Sequence, residues 1–229
     1  MKNKIIPALF ALPLLATSAS AAITLGGVDQ GDTLAINNND LRTLNLSVTD
    51  AGDSVTYNGG GATFGQGADT TIDILAGTFT ATRDIFLGNA ANSSNTFTIS
   101  GGLADFQSDL GIGRDDATGL LIISGGTVNV TGALSFDVVN GGNSATDVAD
   151  GTIDFTTGST GELTVTGLTA TDYEAFYTAG DLTFAGDNSA AFADVFEVSG
   201  NTLSLVVPEP SSTALLGLGG LALILRRRK

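Results

Sequence analysis

The sequence predicts an all-β fold: a right-handed parallel β-solenoid with rungs of about 25 residues. Three observations point there. A short alternating segment ending in a glycine turn recurs at near-constant spacing. A second apolar segment keeps phase with it. The interior of the chain is rich in Gly, Thr, Ser, Asn and Asp, yet Ile, Leu, Val and Phe recur in alternation, which separates it from a disordered composition. A β-sandwich also gives short strands and glycine turns and is the alternative. The phase-locked spacing favours the solenoid.

The repeat is seen by aligning Thr71-Ile72-Asp73-Ile74-Leu75-Ala76-Gly77 with Thr96-Phe97-Thr98-Ile99-Ser100-Gly101-Gly102 and Leu120-Leu121-Ile122-Ile123-Ser124-Gly125-Gly126. Ile74 to Ile99 is 25 residues and Ile99 to Ile123 is 24. Ile85-Phe86-Leu87, Leu110-Gly111-Ile112 and Leu134-Ser135-Phe136 follow in the same phase. A fourth copy of the first strand, Thr152–Gly158, arrives 32 residues after the third, with the excess assigned to the polar Asn140–Asp150 loop, where added length is cheap. A weaker early copy, Thr43-Leu44-Asn45-Leu46, is read 28 residues before Ile72 and Ile74. One alternating strand cannot bury its apolar face alone. Stacking is therefore expected to place Ile72, Phe97, Leu121 and Ile153 in one inward column, and Ile74, Ile99, Ile123 and Phe155 in the next. Two or three strands per rung fit the period, and glycines supply positive φ at the corners.

Beyond Leu168 the pattern changes. Asp172–Tyr177 reads as a helical turn. Short strands follow at Asp181–Phe184, Val195–Val198 and Leu203–Val206, with Gly200-Asn201 as a hairpin turn between the last two. A solenoid needs its ends covered against edge-to-edge pairing, so residues of about 168–206 are expected to cap one end and Ala22–Asp40 the other.

The two ends of the chain read as addresses. Residues 1–21 have the form of a secretory signal peptide: Lys2 and Lys4, an apolar core from Ile5 to Leu15, and a small-residue cleavage site at Ala19, Ala21 and Ala22. Residues 207–229 contain Pro208-Glu209-Pro210, an apolar run over 211–225, and Arg226, Arg227, Arg228 and Lys229. Fifteen residues make a helix of roughly 22 Å, which crosses a bilayer only with local thinning and snorkelling of the basic end. The cations suit the cytoplasmic side.

This combination resembles the PEP-CTERM sorting signal of exported bacterial proteins. The resemblance implies transient insertion of the 211–225 helix in the inner membrane, recognition by an exosortase-type processing enzyme near Pro208, Glu209 and Pro210, and delivery to the cell surface or extracellular matrix, often with exopolysaccharide and biofilm. The repeats over about residues 40–168 are similar to the Gly-rich repeats of autotransporter passengers and other surface β-helices.

Between the addresses, 22–206 reads as one extracellular domain. It has no Lys, His, Cys, Trp or Met, its only cations are Arg42, Arg83 and Arg114, and it holds 23 of the 24 acids, for a formal charge of −20. Such a body repels polyanions, so nucleic acid is excluded as a partner. Without Cys there is no disulfide framework, and burial must supply the stability. Without His or Lys no serine or threonine has a base to activate it, and no ordinary zinc site exists in the body.

The sequence therefore predicts no enzyme. Paired carboxylates are the one catalytic arrangement to weigh, because β-helices host polysaccharide lyases and glycosidases: Asp115 with Asp116, or Asp105 with Asp109, near Arg83 and Arg114. No cofactor is expected. Calcium is the ligand left open, since Gly65-Gln66-Gly67-Ala68-Asp69 and Gly111-Ile112-Gly113-Arg114-Asp115 each read G-x-G-x-D, half of a calcium-binding nonapeptide. This makes Asp69, Asp115 and Asp116 the metal candidates, with tight turns the competing reading. The leading functional expectation is a structural or adhesive surface protein whose partners are exopolysaccharide or other surface proteins. The alternative is a carbohydrate-binding or polysaccharide-cleaving module, for which Tyr173, Phe176 and Tyr177 would be the aromatic platform.

Overall fold

The computed structural model describes residues 23–25, 27–36, 45–59, 62–64, 69–88, 93–114, 117–138 and 150–206. The signal-peptide region, Asp115, Asp116, the 139–149 loop and residues 207–229 lie outside them.

The chain winds through about five turns that build three sheets, all parallel through the stack. Sheet A stacks Leu46–Val48, Thr70–Ile74, Ser94–Ile99, Thr118–Ile123 and Asp150–Phe155. Sheet B stacks Thr33–Ile36, Ser54–Tyr57, Thr78–Ala81, Leu103–Phe106, Thr127–Val130 and Glu162–Val165. Sheet C stacks Ala62–Phe64, Ile85–Leu87, Leu110–Arg114 and Leu134–Val138. The fold is thus a β-solenoid, and the parallel pairing sets aside the sandwich.

The register in sheet A follows the periodicity. Ile72 pairs Phe97, Phe97 pairs Leu121 and Leu121 pairs Ile153, while Ile74, Ile99, Ile123 and Phe155 form the neighbouring column. All eight side chains are buried. The early copy needs a correction: Leu46 pairs Ile72 and Val48 pairs Ile74, an offset of 26 rather than 28. A two-residue slip keeps the same face inward, so the strand pattern alone could not distinguish the two registers. The pairing of Thr118–Ile123 with Asp150–Phe155 keeps the predicted 32-residue offset.

Sheet B supplies the middle strand of each rung, between those of sheets A and C. Its first residue follows Gly77, Gly102 or Gly126, which hold φ of 74°, 73° and 72°. A Cβ on Gly102 would run into the carbonyl oxygen of Gly77 one turn below, so the corner needs glycine for space as well as for φ. Packing in this sheet alternates in size between turns: Phe79 lies beside Ala104 and Ala81 beside Phe106. Phe79, Phe97 and Phe106 then meet in the interior with ring centroids 5.4–6.0 Å apart, a tilted and edge-on arrangement that aromatic quadrupoles favour.

Polar groups stitch one turn to the next. Asn45 Oδ1 accepts the Thr71 N–H at 2.9 Å, and Asp69 Oδ1 accepts the Ser94 N–H at 2.8 Å. Along another corner the Ser108 hydroxyl donates to Asp84, and Asp109 Oδ1 accepts the Ala133 N–H at 2.7 Å. Inside, the Asn95 amide donates to Thr70 Oγ1 at 2.9 Å, which satisfies a buried polar pair.

At the N-terminal end, Thr24–Leu25 pairs antiparallel with both Val28–Asp29 and Leu46–Val48. At the other end, helix α1 (Ala170–Ala179) runs well past the single turn expected from Asp172–Tyr177. It opens with Thr169, whose N–H and hydroxyl both donate to Asp172 Oδ2, at 2.8 and 2.7 Å. It closes on Gly180 at φ 94°. Leu182–Phe184 extends sheet A, and the hairpin Phe196–Ser199/Thr202–Leu205 extends sheet B antiparallel, turning at Gly200-Asn201. A short helix, α2 (Phe192–Val195), leads into that hairpin.

Candidate functional site

Of the carboxylates considered for catalysis or metal binding, Asp115 and Asp116 lie outside the described residues, while Asp69, Asp105 and Asp109 each accept a hydrogen bond. Asp69 is engaged by Ser94 in the inter-turn bond, and Asp109 by Ala133. Asp105 accepts from the Gln107 amide at 2.9 Å. Among the described residues no group of three or more acidic, His or Cys side chains is placed to hold a metal ion. A small cavity of about 150 Å³ near the first full turn is bordered by Asp32, Asp50 and Asp53, but its geometry is that of a turn. Asp53 Oδ2 accepts the Asp50 N–H at 3.1 Å, and Asp50 Oδ1 accepts the Gly52 N–H at 3.1 Å. Arg114 lies 4.5 Å above the Phe86 ring on sheet C, a cation–π contact.

The aromatic cluster of the cap packs inward. Tyr173 is wholly buried, and its hydroxyl donates to Asn201 O at 2.7 Å while accepting the Val165 N–H at 3.2 Å. It thereby ties α1 to the last sheet B strand and to the hairpin turn. Burial pushes its pKa up to about 12. Tyr177 is buried against Phe192 and Phe196, and Phe176 packs on Phe136 at 5.0 Å. Burial and the neighbouring charge of Asp137 raise the Asp181 carboxyl beside this region.

A cavity of ligand size lies elsewhere, at the C-terminal end of the stack. It is an apolar groove of about 520 Å³. One wall is the corner formed by residues 157–160, between the last sheet A and sheet B strands. Phe184, Val195, Leu205 and Val206 supply the apolar side, and Asp194 is the one carboxylate among the described lining residues. The corner is three residues longer than in the turn below, since Ile123 pairs Phe155 at an offset of 32 and Val130 pairs Val165 at 35. Sequence reasoning named the strands that frame this groove but not the groove. The added corner length was the readable signal.

Val206 closes the described chain, is partly exposed, and donates its N–H to Val195 O at 2.8 Å. Residues 206–229 match the PEP-CTERM protein-sorting motif, which therefore starts on the groove wall. The motif contains Pro208, Glu209, Pro210, the 211–225 run, Arg226, Arg227, Arg228 and Lys229. Among the described residues no helix is long and apolar enough to cross a membrane. No curated protein and no solved structure matches the chain. A β-solenoid body joined to a PEP-CTERM motif makes this chain an exported protein, sorted to the surface through an exosortase-type system.

Proposed function

We propose that the body is a structural or adhesive module displayed on the cell surface or in the extracellular matrix, and that it carries no catalytic activity. The observation behind this reading is the use made of its acids. Asp69, Asp84 and Asp109 serve as acceptors between neighbouring turns, and Asp154 accepts from Thr183 of the cap. The stitched turns present regular polar faces, with Thr56, Thr80, Asp105, Asn129 and Thr164 in register along sheet B. These faces suit weak, repeated contacts with matrix polymers, where many modest bonds add through multivalency. Calcium is a proposed bridge between such faces and acidic polymers, because a body of −20 repels them otherwise.

The test is to incubate the surface-released protein with neutral and acidic polysaccharides, with and without calcium. Saturable binding without release of reducing ends or unsaturated products is expected. Turnover of any polymer in the panel overturns the reading in favour of a polysaccharide-cleaving module, and no retention on any polymer or on whole matrix overturns adhesion.

A further inference from the structure

We infer that the apolar groove at the end of the solenoid is a docking seat for the extracytoplasmic face of the processing enzyme, so that the folded body is read together with the sorting motif. The inference rests on residues 206–229 acting as a sorting signal. Its first ground is continuity. Val206 is both the first residue of the motif and part of the groove lining. Its N–H is fixed to Val195 O, and Val195 lines the same groove. The motif therefore leaves the body from a fixed point.

The second ground is reach. Pro208 is two residues beyond Val206, so its Cα lies within roughly 7–8 Å of it. An ordinary interface covers about 800 Å² on each partner. An enzyme that grips Pro208-Glu209-Pro210 with a surface of that size also covers the groove.

The third ground is chemistry. The body is strongly acidic, yet beside the motif it presents a recess whose described lining is mostly apolar, with Asp194 the one carboxylate among those described residues. An apolar recess beside the processing point calls for an apolar cover, and the enzyme that grips the motif is the partner placed to supply it. Two other occupants fit less well. A second copy would bring two bodies of −20 together end to end. The chain's own 211–225 run would have to double back past Pro208 and Pro210, whose fixed φ favours an extended course.

The test follows C-terminal processing of the full-length protein in cells that contain the enzyme, by pulse–chase and mass spectrometry of the C-terminus. Thr160→Arg places a charge at the groove mouth from an exposed corner position. Insertion of Gly-Ser-Gly-Ser between Val206 and Val207 moves the prolines away from the groove. Thr131→Arg, at an exposed corner of another turn, is the control. Both the groove variant and the insertion are expected to slow processing at least about fivefold, the effect of losing one modest apolar contact, with the melting temperature unchanged. The control keeps the normal rate. Equal rates in all variants overturn the inference, because the motif is then read alone. Faster processing on insertion overturns it too, because the folded end then obstructs the enzyme. A groove variant that alters self-association but not processing assigns the groove to a second copy, and also overturns it. A wild-type chain that is never processed would instead defeat the sorting reading itself, so the two failures are distinguishable.

Discussion

Tyr173 ties three elements together with one hydroxyl, and that bond has a pH signature. The buried phenol is held neutral, with its pKa raised to about 12 from the ordinary 10.0, chiefly by burial. A raised folded pKa means that the stabilisation is fully present below pH 10 and is lost as pH rises through about 12. Two units correspond to roughly 2.7 kcal/mol of stability lost across that window. Urea melts at pH 8 and pH 11.5 should show about two-thirds of this loss, and Tyr173→Phe should remove that share while leaving a residual pH dependence from Tyr177, whose phenol burial also pushes up. The same variant should cost only about 0.5–1 kcal/mol at pH 8, because the Val165 N–H still donates to Asn201 O at 3.2 Å once the hydroxyl is gone. Asp69 supplies a second residue-scale case. Its carboxylate accepts the Ser94 N–H across turns, an office that a carboxamide can also fill. Asp69→Asn should melt close to wild type and Asp69→Ala about 1 kcal/mol below it, with the same differences in calcium and in chelator. A calcium-dependent gap between wild type and Asp69→Asn would restore the metal reading of that turn.

At the scale of the element, the corners decide the path of the chain. Gly102 sits at φ 73° with the carbonyl of Gly77 where a Cβ would go. Gly102→Ala therefore carries both a left-handed penalty of ~1–2 kcal/mol and a backbone clash that neighbouring turns cannot relax independently. A loss of about 2–4 kcal/mol in a thermal or urea melt is expected, against less than ~1 kcal/mol for an alanine at exposed Ser100, which has neither constraint. The corners also explain what could be read beforehand. Sheets A and C were legible because their inward residues repeat in kind: Ile74, Ile99 and Ile123, or Ile85, Leu110 and Leu134. Sheet B was not, although it has the same period. Its inward positions trade volume between turns, Phe79 for Ala104 and Ala81 for Phe106, so aligned copies look unrelated. The size exchange that fills the core also hides the repeat. The sorting motif was legible in full, since it is read as linear sequence. The groove beside it was not, because it is made by Phe184, Val195 and Leu205, which meet only after the cap folds.

At the scale of the whole molecule, stability should behave as a sum over neighbouring turns, because each turn touches chiefly the one before and the one after. Thr96 pairs Leu120, and every other partner in that pair of sheet A strands keeps the same offset of 24. Removing residues 96–119 joins Asn95 to Leu120 and leaves each later residue in its own column. Ile72 would then face Leu121, and the corner at Gly77 would meet the corner at Gly126. The deletion takes Phe97 and Phe106 from the aromatic trio, so a lower melting temperature is expected, but the shortened chain should fold and melt in one cooperative step. Its urea m-value should fall by about an eighth, in line with 24 residues lost from the 184 of 23–206. Removing only residues 96–107 should give no cooperative melt. That deletion joins a sheet A strand to the corner before sheet C, and the apolar columns no longer line up from turn to turn. Circular dichroism and urea titration of the two shortened chains separate the outcomes. If both deletions fold equally well, stacking in register is not what holds the molecule together. If neither folds, the turns form one indivisible core rather than a stack.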